Sequence, residues 1–184
     1  MLDKVPVARI LGFLFLATLV LLGWVSYQGY GTSAGRIDAG VHIRLALLAI
    51  VVALFTHTMT LFYFVGTGSR IRKVVQDYRL ERSLVERTRR FKADLFPWLT
   101  YTPLVTMAAF IVGGAAHTRV WPPWIHGVLA VVALAMNLVC AVVAVRSIGE
   151  NVALIDEIDA LLPDDAGEAR SGDAAGPTGP PGSR

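Results

Sequence analysis

Residues 123–148 read PWIHGVLAVVALAMNLVCAVVAVRSI, an apolar run broken by a single charge, Arg146. A hydrocarbon layer about 30 Å thick takes about 20 such residues as a helix, so this stretch is long enough to cross one. Lipid offers the backbone no hydrogen-bond partner, which makes the crossing helical. Three more stretches have the same character, at about 7–30, 41–65 and 97–118, and none of the four contains Asp or Glu. The expected fold class is all-α: an integral membrane protein, an up-down four-transmembrane-helix bundle with cytoplasmic helical extensions. The first run exceeds the roughly 7–15 apolar residues of a signal peptide and holds Trp24, so it reads as a retained span.

Composition agrees. Of 184 residues, 54% are hydrophobic and 17% charged, against about 25% charged in ordinary globular domains. The mean hydropathy is +0.56. A soluble single domain, a disordered chain and a disulfide scaffold are all excluded. The lone Cys140 sits in an apolar run, so neither an intrachain disulfide nor a thiolate cluster can form. A pI near 9.3 does not indicate nucleic acid, because the basic residues concentrate in one segment between spans.

That concentration sets the expected orientation. Nine Lys/Arg fall within residues 70–92: Arg70, Arg72, Lys73, Arg79, Arg82, Arg87, Arg89, Arg90 and Lys92. Lys4, Arg9, Arg146, Arg170 and Arg184 belong to the same side, and only Arg36, Arg44 and Arg119 to the other. By the positive-inside rule both termini and the 66–96 connection are cytoplasmic in an inner-membrane protein. Aromatic residues at Trp24, Tyr27, Tyr30, Trp121 and Trp124 suit the outer interface, and Tyr63 and Trp98 the inner one.

The cytoplasmic side carries more than loops. Residues 69–96 lack Gly and Pro and place Ile71, Val74, Val75 and Tyr78 on one helical face. A straight helix of about 26 residues would run ~39 Å, whereas neighbouring helices lie about 8–10 Å apart. The chain must therefore turn back, between Asp77 and Arg82, making 66–96 a basic helical hairpin. Glu86 precedes Arg90 by four residues, the favourable order for an ion pair. Residues 149–162 continue span four as an acidic amphipathic extension, with Ile155, Ile158 and Leu162 in helical spacing. Its charge complements the hairpin; the competing readings are two solvated segments that never meet and a basic face lying on anionic lipid. The Gly/Pro/Ala/Asp-rich stretch 163–184 reads as a disordered tail.

Intramembrane polar residues are where function is sought first. His126, Ala130, Ala133, Asn137, Ala141, Ala144 and Asn151 form one stripe, and Thr102, Thr106, Ala109, Gly113 and His117 a second. Small residues in such stripes serve first for close helix packing; Gly66 and Gly68 read as a close contact or a bend. His42, His117 and His126 fall at one outer depth on three helices, where imidazoles can ligate a b-type haem or a transition metal. His57 lies about 22 Å deeper, level with Thr102 and near Asn137. Those three are either a satisfied polar group or a quinone or proton site.

No phosphate loop, HExxH or nucleophile-elbow motif is present. The expected function is a non-enzymatic membrane anchor or accessory subunit, which binds a protein partner or a second copy of itself and holds haem or metal through its outer histidines. A redox or quinone-handling subunit is the first alternative, and an oligomeric channel or transporter component the second.

Overall fold

The computed structural model describes residues 4–162; the tail assigned to 163–184 lies outside them. Four helices make up the fold: α1 (Lys4–Ser33), α2 (Ala39–Asp77), α3 (Ser83–His117) and α4 (Pro123–Ala160). All four are long and apolar enough to cross a membrane, with mean hydropathies of 2.1, 2.2, 1.5 and 2.8 over their most apolar windows. At most a third of any such window is buried within the chain, so most of that surface needs an apolar surrounding. On α1, Ile10, Phe13, Leu16, Val20, Trp24 and Tyr27 all stand exposed, an uninterrupted apolar face too large for water.

Local chemistry explains where each helix stops. Asp38 caps α2, its carboxylate accepting from the Val41 N–H at 3.2 Å. Pro123 opens α4, where a missing N–H leaves nothing unsatisfied. Three helix ends close by the same device, a left-handed residue with paired backbone bonds. After α1 it is Gly35 (φ 68°), with Arg36 N–H donating to Gly31 O at 2.8 Å. After α2 and α3 it is Arg79 (φ 51°) and Arg119 (φ 60°), where Leu80 and Val120 N–H donate to Val75 O and Ala115 O at 3.0 and 2.9 Å. The turn between α2 and α3 thus occupies 78–82. Helix α3 runs through Pro97 and Pro103, each of which deprives a carbonyl one turn earlier (Ala93 and Leu99) of its helical donor.

α1 and α3 each pack against α2 and α4, and the core changes character along their length. Within the apolar stretches of α2, α3 and α4 many of the buried residues are small or polar (Ala49, Ala53, Thr56, Thr60, Thr102, Thr106, Ala109, Ala133, Asn137, Ala141 and Ala144), beside larger ones such as Ile50 and Phe64. Where α2, α3 and α4 continue beyond those stretches, the buried residues are mostly large and apolar (Ile71, Val74, Val75, Leu84, Phe91, Leu154 and Ile158), with Thr88 and Asn151 among them. The first composition suits close packing in a medium as apolar as the side chains themselves. The second is what a core in water requires, where each fully buried Leu or Phe contributes roughly 1.5–3 kcal/mol.

Candidate functional site

At the end where α2 and α4 begin, two histidines come together. The His42 and His126 rings lie with centroids 6.3 Å apart and planes at 72°. Glycines make room for them: a methyl group at Gly113 would sit 2.8 Å from His126 Cε1, and one at Gly29 would sit 3.4 Å from His42 Cε1. His126 Nδ1 is 3.0 Å from Ala109 O. A carbonyl only accepts, so this nitrogen carries a proton. His42 Nδ1 is buried without a hydrogen-bond partner. His117, the last residue of α3, is exposed instead. Among the described residues no group of three or more His, Cys, Asp or Glu is placed to hold a metal ion. Two of the three outer histidines therefore meet, and the third stands apart because it ends α3 a turn or more beyond Gly113 and Ala109, which His126 touches.

Deeper in the core, the polar residues are buried but do not form one network. His57 is 3% exposed. Its Nδ1 donates to Ala53 O of its own helix at 2.7 Å, and its ring stands edge-on to Phe15 of α1 at 5.8 Å. No hydrogen bond joins it to Thr102 or Asn137. Asn137 Nδ2 instead donates to Thr106 Oγ1 at 2.9 Å and to Ala133 O at 2.8 Å. His57 Nε2 and Asn137 Oδ1 are each left buried and unpartnered, which costs free energy in a dry interior; Thr102 of α3 lies beside the Cys140 thiol of α4. Thr18 and Thr56 join α1 to α2 through their hydroxyls at 3.0 Å.

The opposite end carries the charge. Arg87 Nη1 pairs with Glu157 Oε2 at 2.6 Å, tying α3 to α4. Asn151 Nδ2 donates to Tyr63 Oη at 3.0 Å, linking α4 to α2. The Glu86–Arg90 pair suggested by spacing is not among the ion pairs of the described residues; Arg146–Glu150, at 3.1 Å, is the intrahelical one. Gly68 is a close contact: a methyl there would occupy the position of the Lys92 amine. Gly66 has open space around it. An open groove of about 490 Å³ runs along α3, lined by Arg89, Lys92, Ala93, Phe96, Pro97, Thr100 and Tyr101.

Several of these contacts were not paired by the sequence: Phe15 against His57, Tyr63 against Asn151, and the groove beside Pro97. Each depends on how one helix is rotated against another. The interior proline was the one linear signal that could have marked the groove.

A chain of four helices able to cross a membrane, with an apolar exterior and a charged end, belongs by architecture to the multi-pass helical membrane proteins. Beyond that class, comparison with protein-family models, with curated proteins and with solved structures finds no match.

Proposed function

We propose that this chain is a non-enzymatic anchor or accessory subunit of the inner membrane. It is an up-down bundle with both termini in the cytoplasm, whose charged end is a rigid head for a protein partner. The reading is carried by one observation: α2, α3 and α4 continue past their apolar windows and bury Ile71, Leu84, Phe91, Leu154 and Ile158 together. A connection needed only to reverse the chain would be a short loop. Ordering some forty extra residues costs roughly 1–2 kcal/mol each in backbone entropy, and the water-type core offsets it. The excess of Lys and Arg in 70–92 supports the cytoplasmic assignment.

The experiment compares the membrane-associated proteome of cells carrying the wild-type chain with that of cells carrying Leu154→Asp, at equal amounts of inserted protein. The expected result is the selective loss of a peripheral protein from the variant membranes, with the same loss on deleting the chain. An unchanged complement in both strains overturns the anchor.

A second reading, a two-histidine metal site, rests on the His42–His126 pair. Two imidazoles on opposite sides of one ion, at about 2.0 Å each, hold their centroids a little over 6 Å apart. The Ala109 carbonyl on His126 Nδ1 is the usual outer partner of a ligating imidazole. Elemental analysis and an absorption spectrum of the purified protein test both ion and haem, with His126→Ala expected to abolish any signal. A colourless, metal-free preparation removes this reading and leaves the anchor.

A further inference from the structure

We propose that the groove on α3 is a binding site for one anionic phospholipid, its headgroup phosphate held by Arg89 and Lys92 and an acyl chain lying along Ala93, Phe96, Pro97 and Tyr101. The lining residues divide by position. Arg89 and Lys92 occupy the end toward the head; Phe96, Pro97, Thr100 and Tyr101 occupy the end inside the apolar stretch. From Arg89 to Tyr101 the helix rises about 18 Å, the distance from a headgroup down into one leaflet. Tyr101 is 61% exposed, a large ring presented to the surroundings.

Charge complementarity names the occupant. Lys92 is not swinging in solvent: its amine rests on Gly68 of α2, in space only a glycine leaves open. Arg72, one turn beyond Gly68, lies close enough for its charge to act on Lys92. The Arg87–Glu157 and Arg146–Glu150 ion pairs involve none of Arg72, Arg89 and Lys92. Lys92 and Arg72 thus meet at the α2–α3 seam, and Arg89 lines the groove beside Lys92 one turn earlier on α3, so three cationic groups stand near the groove's outer end. A phosphodiester at the headgroup level satisfies them; a zwitterionic lipid brings its own cation and does so less well. The apolar half of the groove selects a lipid over free phosphate.

The proposal rests on the topology proposed above, which places this seam at the cytoplasmic leaflet. The full chain, purified in detergent, is titrated with phosphatidylglycerol or phosphatidylcholine and read by native mass spectrometry. Arg89→Gln/Lys92→Gln is compared with Arg82→Gln/Arg90→Gln, which removes equal charge from the head outside the groove. The expected result is preferential retention of phosphatidylglycerol, weakened about thirtyfold in the groove variant and less than threefold in the control. Excess inorganic phosphate is expected not to displace the lipid. Equal weakening in both variants, displacement by phosphate, or a groove closed by a second copy of the chain without bound lipid each overturns the site. A reporter fused after Ala160 tests orientation separately. An exported reporter with intact lipid selectivity refutes the topology and spares the groove, whereas a cytoplasmic reporter with no selectivity does the reverse.

Discussion

Truncating Leu154 to Ala isolates the packing that holds the charged end together. Leu154 is 0% exposed, in one cluster with Phe91, Leu95, Ile148 and Ile158. Leu154→Ala removes three carbons, about 2.4 kcal/mol of transfer free energy, and the cavity left behind raises the cost to roughly 3–4 kcal/mol. Because this part of α4 lies beyond the apolar window, the loss falls on the local opening of α3 and α4 and leaves the spans in place. Trypsin reads that opening at Arg87, Arg89 and Arg90, inside α3. When reclosing outpaces cleavage, the rate follows the open population. A penalty of about 3 kcal/mol then accelerates cleavage about 150-fold. Leu161→Ala is the control, since Leu161 is 55% exposed, and its cleavage is expected within twofold of wild type. Cleavage of Leu154→Ala at the wild-type rate would falsify the claim that the three extensions form one packed unit.

Glu157→Gln breaks the Arg87 ion pair, whose partners are 47% and 46% exposed; solvent screening limits its worth to less than about 1 kcal/mol, so the same trypsin assay should change by no more than about fivefold. Arg79→Gly relieves a left-handed residue and should stabilise the 78–82 turn by about 1 kcal/mol, measured as slower cleavage at Arg87–Arg90; a faster rate would mean the Arg79 side chain has an essential contact. A double-mutant cycle of Thr106→Val and Asn137→Leu should return a coupling near 0.6 kcal/mol and below about 1.7 kcal/mol in a detergent unfolding titration, and zero coupling would contradict their 2.9 Å bond. Gly113→Ala forces the His126 ring to move from a position 2.8 Å away, so the ¹⁵N shift of His126 should lose its Nδ1-protonated signature while the helical circular dichroism stays unchanged; an unmoved resonance would argue against the Gly113–His126 contact.

The four helices were legible because crossing lipid imposes length and composition residue by residue. The turn at 78–82 was legible for a different reason, since no glycine or proline marks it. A 26-residue straight helix could not have returned to a neighbouring one, and Arg79 supplies the left-handed residue at the cost of some strain. The stripes on α3 and α4 were also readable: Thr102, Thr106, Ala109, Ala133, Asn137, Ala141 and Ala144 are all buried. Depth, however, was read only coarsely: the His126 ring lies against Gly113 and Ala109 of α3, one to two turns short of His117.

Linear order therefore determined what each segment must do: which residues lie in a helix and how far along it they sit. Only the tertiary arrangement decided which side chains meet, because that depends on the rotation and separation of helices, and a repeat of 3.6 residues leaves both free. Thus His42 faces His126 and not His117, His57 lies against Phe15 and not Thr102, and the Lys92 amine rests on Gly68. For His126 and Lys92 shape settled the matter: Gly113 and Gly68 left the space, and the side chain of another helix filled it.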